Sequence, residues 1–377
     1  MIKRSFYLLC VGVFIFSCTN SEKGIKETPT KTFQLADETI QLDLPDGWGH
    51  FGHKLFSAND NIYLFNYSMN SIAVYDLSNF DLQSVTTFDK EGPDGVGSSI
   101  GDIQVDERGD YWIASQLEEI FHVSPEAKVI NRYKLNTDEL SERGVSAMTF
   151  SFIQEGKKIY HPSLPQVFKW TELSPEEIAA MPNLVAYDLE EGVYEDLNDF
   201  DLGFLGDNLN KLIIPSIAYG KNGEILINHN FRDLYVYKNG SVEQFYAGIS
   251  TFPNDPPVSS VDMFEDMMEV MRIISFSDMY ESVSFFPKQN VYVRKAKFAE
   301  SPEDGMDADG QFLQSTWGLV FLDEDFNHLG ELVLPESMAN GNYLFDTEKG
   351  FWYSTDHPNN PEVDEEVLQF RLIKVDN

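Results

Sequence analysis

The chain has 377 residues, 42% of them hydrophobic and 14% aromatic, which is enough apolar material for a large core. A formal net charge of −35 excludes a nucleic-acid footprint, which needs a basic surface, and disfavours anionic lipid headgroups as a direct contact. Both cysteines, Cys10 and Cys18, fall in the first eighteen residues, so no disulfide can staple the body and its core must hold it alone.

The first segment reads as an address. Lys3 and Arg4 form a positive start, followed by an apolar run of 11 residues from Phe6 to Phe16. That run is too short to cross a bilayer as a helix and has the size of a signal-peptide core. It ends at Ser17-Cys18 and turns polar at once. A small residue directly before such a cysteine resembles the lipobox of bacterial lipoproteins. The resemblance implies cleavage before Cys18 and acylation of Cys18 itself, although Phe16 stands where smaller residues are usual. Residues 1–17 are therefore expected to be a lipoprotein signal peptide. Residues 18–32, which contain Gly, Pro, Thr, Lys and Glu and almost nothing apolar, are expected to be a flexible tether. Several acyl chains would anchor the body stably, where one alone is marginal. The expected address is the cell envelope, as an outer-membrane lipoprotein, with the periplasmic or surface face left open.

Beyond residue 33 a hairpin pattern recurs six times: a short apolar run, a polar turn, and a second run rich in β-branched and aromatic residues. The second runs begin at Ile62, Tyr111, Ile159, Ile225, Val291 and Phe351, in steps of 49, 48, 66, 66 and 60 residues. Four-stranded propeller blades need about 40–50 residues, so the longer steps leave room for insertions. A further hairpin follows each of the first five, such as the one turning at Asn239-Gly240. The sixth repeat has a single further strand, Leu368 to Val375, before the chain ends. Its missing partner is available in Phe33–Leu35 or in Ile40–Leu44. The fold predicted over residues 33–377 is all-β: a six-bladed β-propeller closed by an N-terminal strand, with short helical insertions. Closure hides the sheet edges that would otherwise invite aggregation. An open solenoid or a pair of sandwiches are the competing architectures.

Two insertions carry helix signals. Ser174-Pro175-Glu176-Glu177 places a capping residue, a proline at the first helical position and acids in the first turn. From Ser260 to Phe276, Phe264, Met267, Met268, Met271 and Ile274 recur at helical spacing, as a packing face or a Met-rich lid.

Propellers bind ligands at the channel mouth, on loops entering the innermost strands. The side chains expected there are Trp48, His50, His53, Asp94 and Asp102. Asp94 lies in the glycine-rich stretch Glu91–Gly97, which serves either turn geometry or a ligand. His50 and His53 are three apart, but no third ligand with recognisable spacing is near, so they argue only weakly for a metal. Asp304, Asp307 and Asp309 are similar to an acidic calcium loop, without its full alternation or its terminal Glu. These three are the candidate metal ligands, with calcium the only cofactor suggested. No His-Glu-x-x-His motif is present.

The Ser17-Cys18 junction, the Glu91–Gly97 stretch running into Ile100–Asp106, and the repeated hairpins together resemble one family. It is that of the uncharacterised lipoproteins of Bacteroidota with a TolB-like six-bladed propeller, a domain of unknown function. The resemblance implies an exported, lipid-anchored propeller without an established activity, and transfers no functional residue except Cys18. The leading expectation is a non-catalytic propeller at the envelope that binds a small ligand or a partner protein and is tethered to the membrane by lipid. The competing readings are a calcium-dependent propeller hydrolase or lactonase, and a subunit of an uptake or secretion complex.

Overall fold

In the computed structural model of the chain, the described residues are 30–115, 119–147, 151–165, 173–199, 214–230, 232–252, 272–299 and 315–376. The signal peptide, Cys18, most of the expected tether, Asp304, Asp307, Asp309 and most of the 260–276 helix candidate lie outside them.

Six antiparallel sheets follow one another around a ring. The first strand, β1 (Thr32–Asp43), is set aside for the last sheet. Blade 1 is β2 (His53–Ala58), β3 (Asn61–Asn66), β4 (Ser71–Asp76) and β5 (Leu82–Thr87). Blade 2 follows with β6 (Ile100–Val105), β7 (Tyr111–Ser115), β8 (Glu119–Val123) and β9 (Val129–Lys134). In blade 3 the inner edge is split. After the short helix α1 (Thr137–Glu142), β10 (Val145–Ala147) and β11 (Ile153–Glu155) both pair with β12 (Lys158–Pro165), before helix α2 (Pro175–Ala179), β13 (Pro182–Asp188) and β14 (Tyr194–Asp199). Blade 4 is β15 (Ser216–Tyr219), β16 (Ile225–Asn228), β17 (Asp233–Lys238) and β18 (Ser241–Tyr246). Blade 5 is β19 (Met279–Phe286), β20 (Val291–Lys297), β21 (Trp317–Leu322) and β22 (His328–Val333). The sixth sheet has the order β1-β25-β24-β23, with β23 (Asn340–Thr347), β24 (Gly350–Ser354) and β25 (Val367–Asp376).

The burial pattern explains the layering. Second strands such as β3 and β7 are apolar on both faces because a neighbouring blade covers each face. Fourth strands such as β5 are nearly all exposed, since they form the rim. The apolar core is accordingly divided into six clusters, one at each blade junction. Leu64, Tyr75, Trp352 and Leu372 fill the junction of the sixth and first blades, as Ile72, Phe88 and Ile113 fill that of the first and second. A ring with all its junctions filled is closed.

Closure depends on β1. The two candidate segments, Phe33–Leu35 and Ile40–Leu44, turn out to belong to one strand interrupted by a bulge between Leu35 and Thr39. Its first half reaches into the preceding blade: the Phe33 ring stacks on Phe321 with centroids 3.6 Å apart. A β-carbon on Gly330 would meet that ring at 3.0 Å, so only glycine allows so close an approach. Its second half buries Leu42 in the sixth junction.

Local signals also hold. Asn239 and Gly240 both have positive φ, the backbone that a two-residue hairpin turn demands. Ser174 and Glu177 form a reciprocal capping box at the start of α2. Helix α1 was not anticipated. It is one and a half turns long and buries only Leu140, too little for a periodic signal. Among the described residues no helix is long and apolar enough to cross a membrane.

Candidate functional site

The inner strands enclose a central cavity of about 1600 Å³. Its walls come from β2, β6, β11, β15, β19 and β23, with some residues from outer strands and turns. In size it exceeds the roughly 300–1,000 Å³ of common small-molecule pockets.

Near the beginnings of the inner strands, four ionisable side chains from three blades line this space: Lys54, Asp102, Glu281 and Lys295. Asp102 is 6% exposed. Its carboxylate accepts from Lys54 Nζ and, at 2.9 Å, from the backbone N–H of Ile103. Lys54 also donates to the Ile103 carbonyl at 2.9 Å. Burial pushes the Asp102 carboxyl above the ordinary range, against the pull of Lys54. Burial likewise raises Glu281, opposed by the charges of Lys295 and Lys297. Lys295 is lowered by burial, and Lys54 lowers it further while Glu281 pulls it back up.

Backbone irregularity aims these groups. In blade 5 the β19–β20 register slips between Tyr280 and Ser282, which makes Glu281 the extra residue of a bulge. In blade 2 the register slips between Ile100 and Asp102, and in blade 6 between Asn340 and Leu344, around Asn342. A bulge re-aims a side chain that regular alternation would turn into a neighbouring blade. Three inner strands thus break their ladders beside cavity-lining polar residues.

Behind the cavity wall, blades 4 and 5 are clamped by Arg294, which is fully buried. Its guanidinium donates to Asn228 Oδ1 at 2.7 Å and to the carbonyls of His229 at 2.8 Å and Ala247 at 2.9 Å, with the Tyr280 ring 3.9 Å from its centre. These bonds consume the fork, so Arg294 is structural. Its charge, added to burial, depresses His229 to about 3.

At the other end of the cavity, Asp106, Asp110 and His122 bring one ligand atom each within 4.8 Å of one another. Asp110 Oδ2 sits 2.9 Å from His122 Nε2, and the His122 ring stacks on Trp112 at 4.4 Å. Asp106 Oδ1 already accepts the N–H groups of Arg108 and Asp110, which shapes the β6–β7 turn. This is the group of described residues that could hold a metal, and it is a different set from the residues singled out in the sequence.

The sequence candidates separate. His53 and Asp102 line the cavity. Trp48 and His50 do not: Trp48 is buried in the junction of blades 6 and 1, and His50 Nε2 donates to the carbonyls of Asp364 at 2.6 Å and Val367 at 3.1 Å. His53 Nε2 is tied to the Gly49 carbonyl and its ring stacks on Trp48 at 5.4 Å. Through these bonds the two histidines organise the loop between β1 and β2. Asp94 is also displaced from the channel. It accepts from Lys128 Nζ at 2.9 Å and the Val129 N–H at 3.2 Å, which fastens the glycine-rich loop to the outer strand β9. Its neighbour Val96 is buried between blades 1 and 2, so the glycines serve a packed turn. Sequence reasoning missed Lys54, Glu281 and Lys295. The only signal available was their charge on otherwise apolar inner and second strands, against a background of 62 acids.

The model of DUF4221, a domain of unknown function, matches residues 24–332. No curated protein matches the chain. Among solved structures, a member of the DUF4221 family from Bacteroides vulgatus superposes with a TM-score of 0.76 at 15% identity, covering 93% of this chain and 100% of its own. A putative exported protein from Bacteroides fragilis superposes at 0.52 with 9% identity, covering 92% of this chain and 96% of its own. At such identities the likeness concerns the fold, a six-bladed propeller, whereas the family match spans most of the sequence. The chain belongs to the DUF4221 family.

Proposed function

We propose that this protein is an exported, lipid-anchored propeller that holds a small polar ligand in its central cavity and does not transform it. The observation that carries this reading is the convergence of Lys54, Asp102, Glu281 and Lys295 from three blades into one space of about 1600 Å³. Charged groups are costly to place in a semi-enclosed site unless something complements them. A calcium-dependent hydrolase would gather carboxylates free to ligate at one point of the channel. Here Asp102 is locked by Lys54 and Ile103, and Glu281 stands among lysine charges, which favours binding over metal chemistry at this end. Export is supported by the sequence up to Cys18, and the fragilis relative bears a description as an exported protein.

The test is a thermal-shift screen of the purified chain against sugars, carboxylates, amines, amino acids and nucleotides, run beside Ser284→Trp. Ser284 is an exposed residue of β19 that lines the cavity, so an indole there obstructs it. At least one compound class is expected to raise the melting temperature of the wild type and not that of the variant. If every stabilising compound acts equally on both proteins, the cavity is not the binding site.

A further inference from the structure

Resting on that reading, the inventory of bonds inside the cavity narrows the ligand's chemistry. Asp102 is satisfied by Lys54 and by the Ile103 N–H. Lys54 spends two of its three protons on Asp102 and the Ile103 carbonyl. Lys297, next along β20, is fully buried and donates to the Ser275 carbonyl at 2.8 Å. The remaining pair differs. Lys295 Nζ has a single long contact, 3.4 Å to the Asn342 carbonyl. Glu281 feels Lys295 and Lys297 only through space, and among the described residues no hydrogen-bond donor reaches its carboxylate. They lie on adjacent strands of blade 5, Glu281 at the bulge between Tyr280 and Ser282, and no salt bridge joins them.

An ammonium with one long bond and a carboxylate that no donor among the described residues reaches therefore line the same space, and a third charge, Lys54, is felt by Lys295. We infer that the cavity is a receptor for a small zwitterion, an amino acid or short peptide. Its carboxylate would sit at Lys295 and Lys54, and its ammonium at Glu281. Burial raises Glu281 and lowers Lys295, so both charged forms are short of solvation where they stand. A ligand bringing the opposite charge to each supplies what the missing water does not. A simple anion would answer Lys295 and leave Glu281 repelled; a simple cation does the reverse. The cavity volume leaves space for side chains beyond the two termini.

The probes are tri-alanine, its N-acetyl form and its C-terminal amide, titrated calorimetrically into the purified chain. Tri-alanine is expected to bind, with each cap weakening binding about tenfold, the value of one lost charge-assisted hydrogen bond. Glu281→Gln should abolish discrimination against the acetylated peptide while keeping that against the amide. Lys295→Met should do the opposite. Equal affinity for all three peptides, no binding of tri-alanine at millimolar concentration, or variants that keep full discrimination would each overturn the inference. The broader reading fails differently. An uncharged or purely anionic compound that stabilises wild type and not Ser284→Trp, with tri-alanine inert, removes the zwitterion and leaves the cavity as a binding site.

Discussion

Asp346 lies fully buried in β23, with one carboxylate oxygen accepting from the Gln289 N–H at 3.0 Å and the other without a partner. Burial raises its pKa from 3.8 to about 6. A carboxyl raised in the fold adds stability that is fully present below its unfolded value and is lost as pH climbs through the folded one. Asp346→Asn should therefore gain on the wild type, in relative stability, as pH rises from about 4 to about 6, by on the order of 1–3 kcal/mol, and then level off. Urea denaturation of both proteins across that range measures it; a difference independent of pH would show that Asp346 does not titrate there. Glu281 and Asp102 are shifted in the same direction for the same reason, but they face a cavity and have lysines beside them. Asp346 faces a packed blade junction, so its cost is structural. The residue type alone does not separate these cases, since all are acids in a chain carrying 62.

At the scale of elements, β1 has the largest consequence. Deleting a rim strand from an open sheet shortens the sheet; deleting β1 exposes the edge of β25 and empties two junctions at once, because Phe33 and Leu42 belong to different clusters. Phe33→Ala removes the ring stacked on Phe321 and should cost about 3–5 kcal/mol. Removal of residues 30–43 leaves β25 as an unpaired edge and is expected to give dimers or aggregates in light scattering, not a monomer. A monomer melting at the wild-type temperature would mean the ring closes without this strand. The pairing was legible in advance because the sixth repeat lacks one strand while an apolar alternation stands unused at the other terminus. Its bulge was not, because the two halves read equally well as separate candidates. The inner strand of blade 3 shows the opposite limit. The sequence suggested one run from Phe150 to Ile153, whereas β10 and β11 divide the work, since short polar-flanked runs carry too little alternation to fix their ends.

For the molecule as a whole, the anchor and the ring are separate claims. Cys18→Ala is expected to move the protein from the membrane pellet to the soluble fraction without changing its melting temperature, because the six blade junctions are filled by residues from Phe33 onward. Retention in the pellet would argue against acylation at Cys18. The sequence by itself determined the periodic architecture: hairpins recurring every 48 to 66 residues, the turn residues between them, and the strand deficit that calls for closure are all local or countable features. Only the tertiary structure decided the site. Lys54, Asp102, Glu281 and Lys295 are up to 241 residues apart in the chain, and what brings them together is the rotation of successive blades about a common axis and the bulges in their inner strands. Periodicity encodes which face of a strand is apolar. It does not encode which polar exceptions end up around one cavity, because that depends on how all six junctions pack at once.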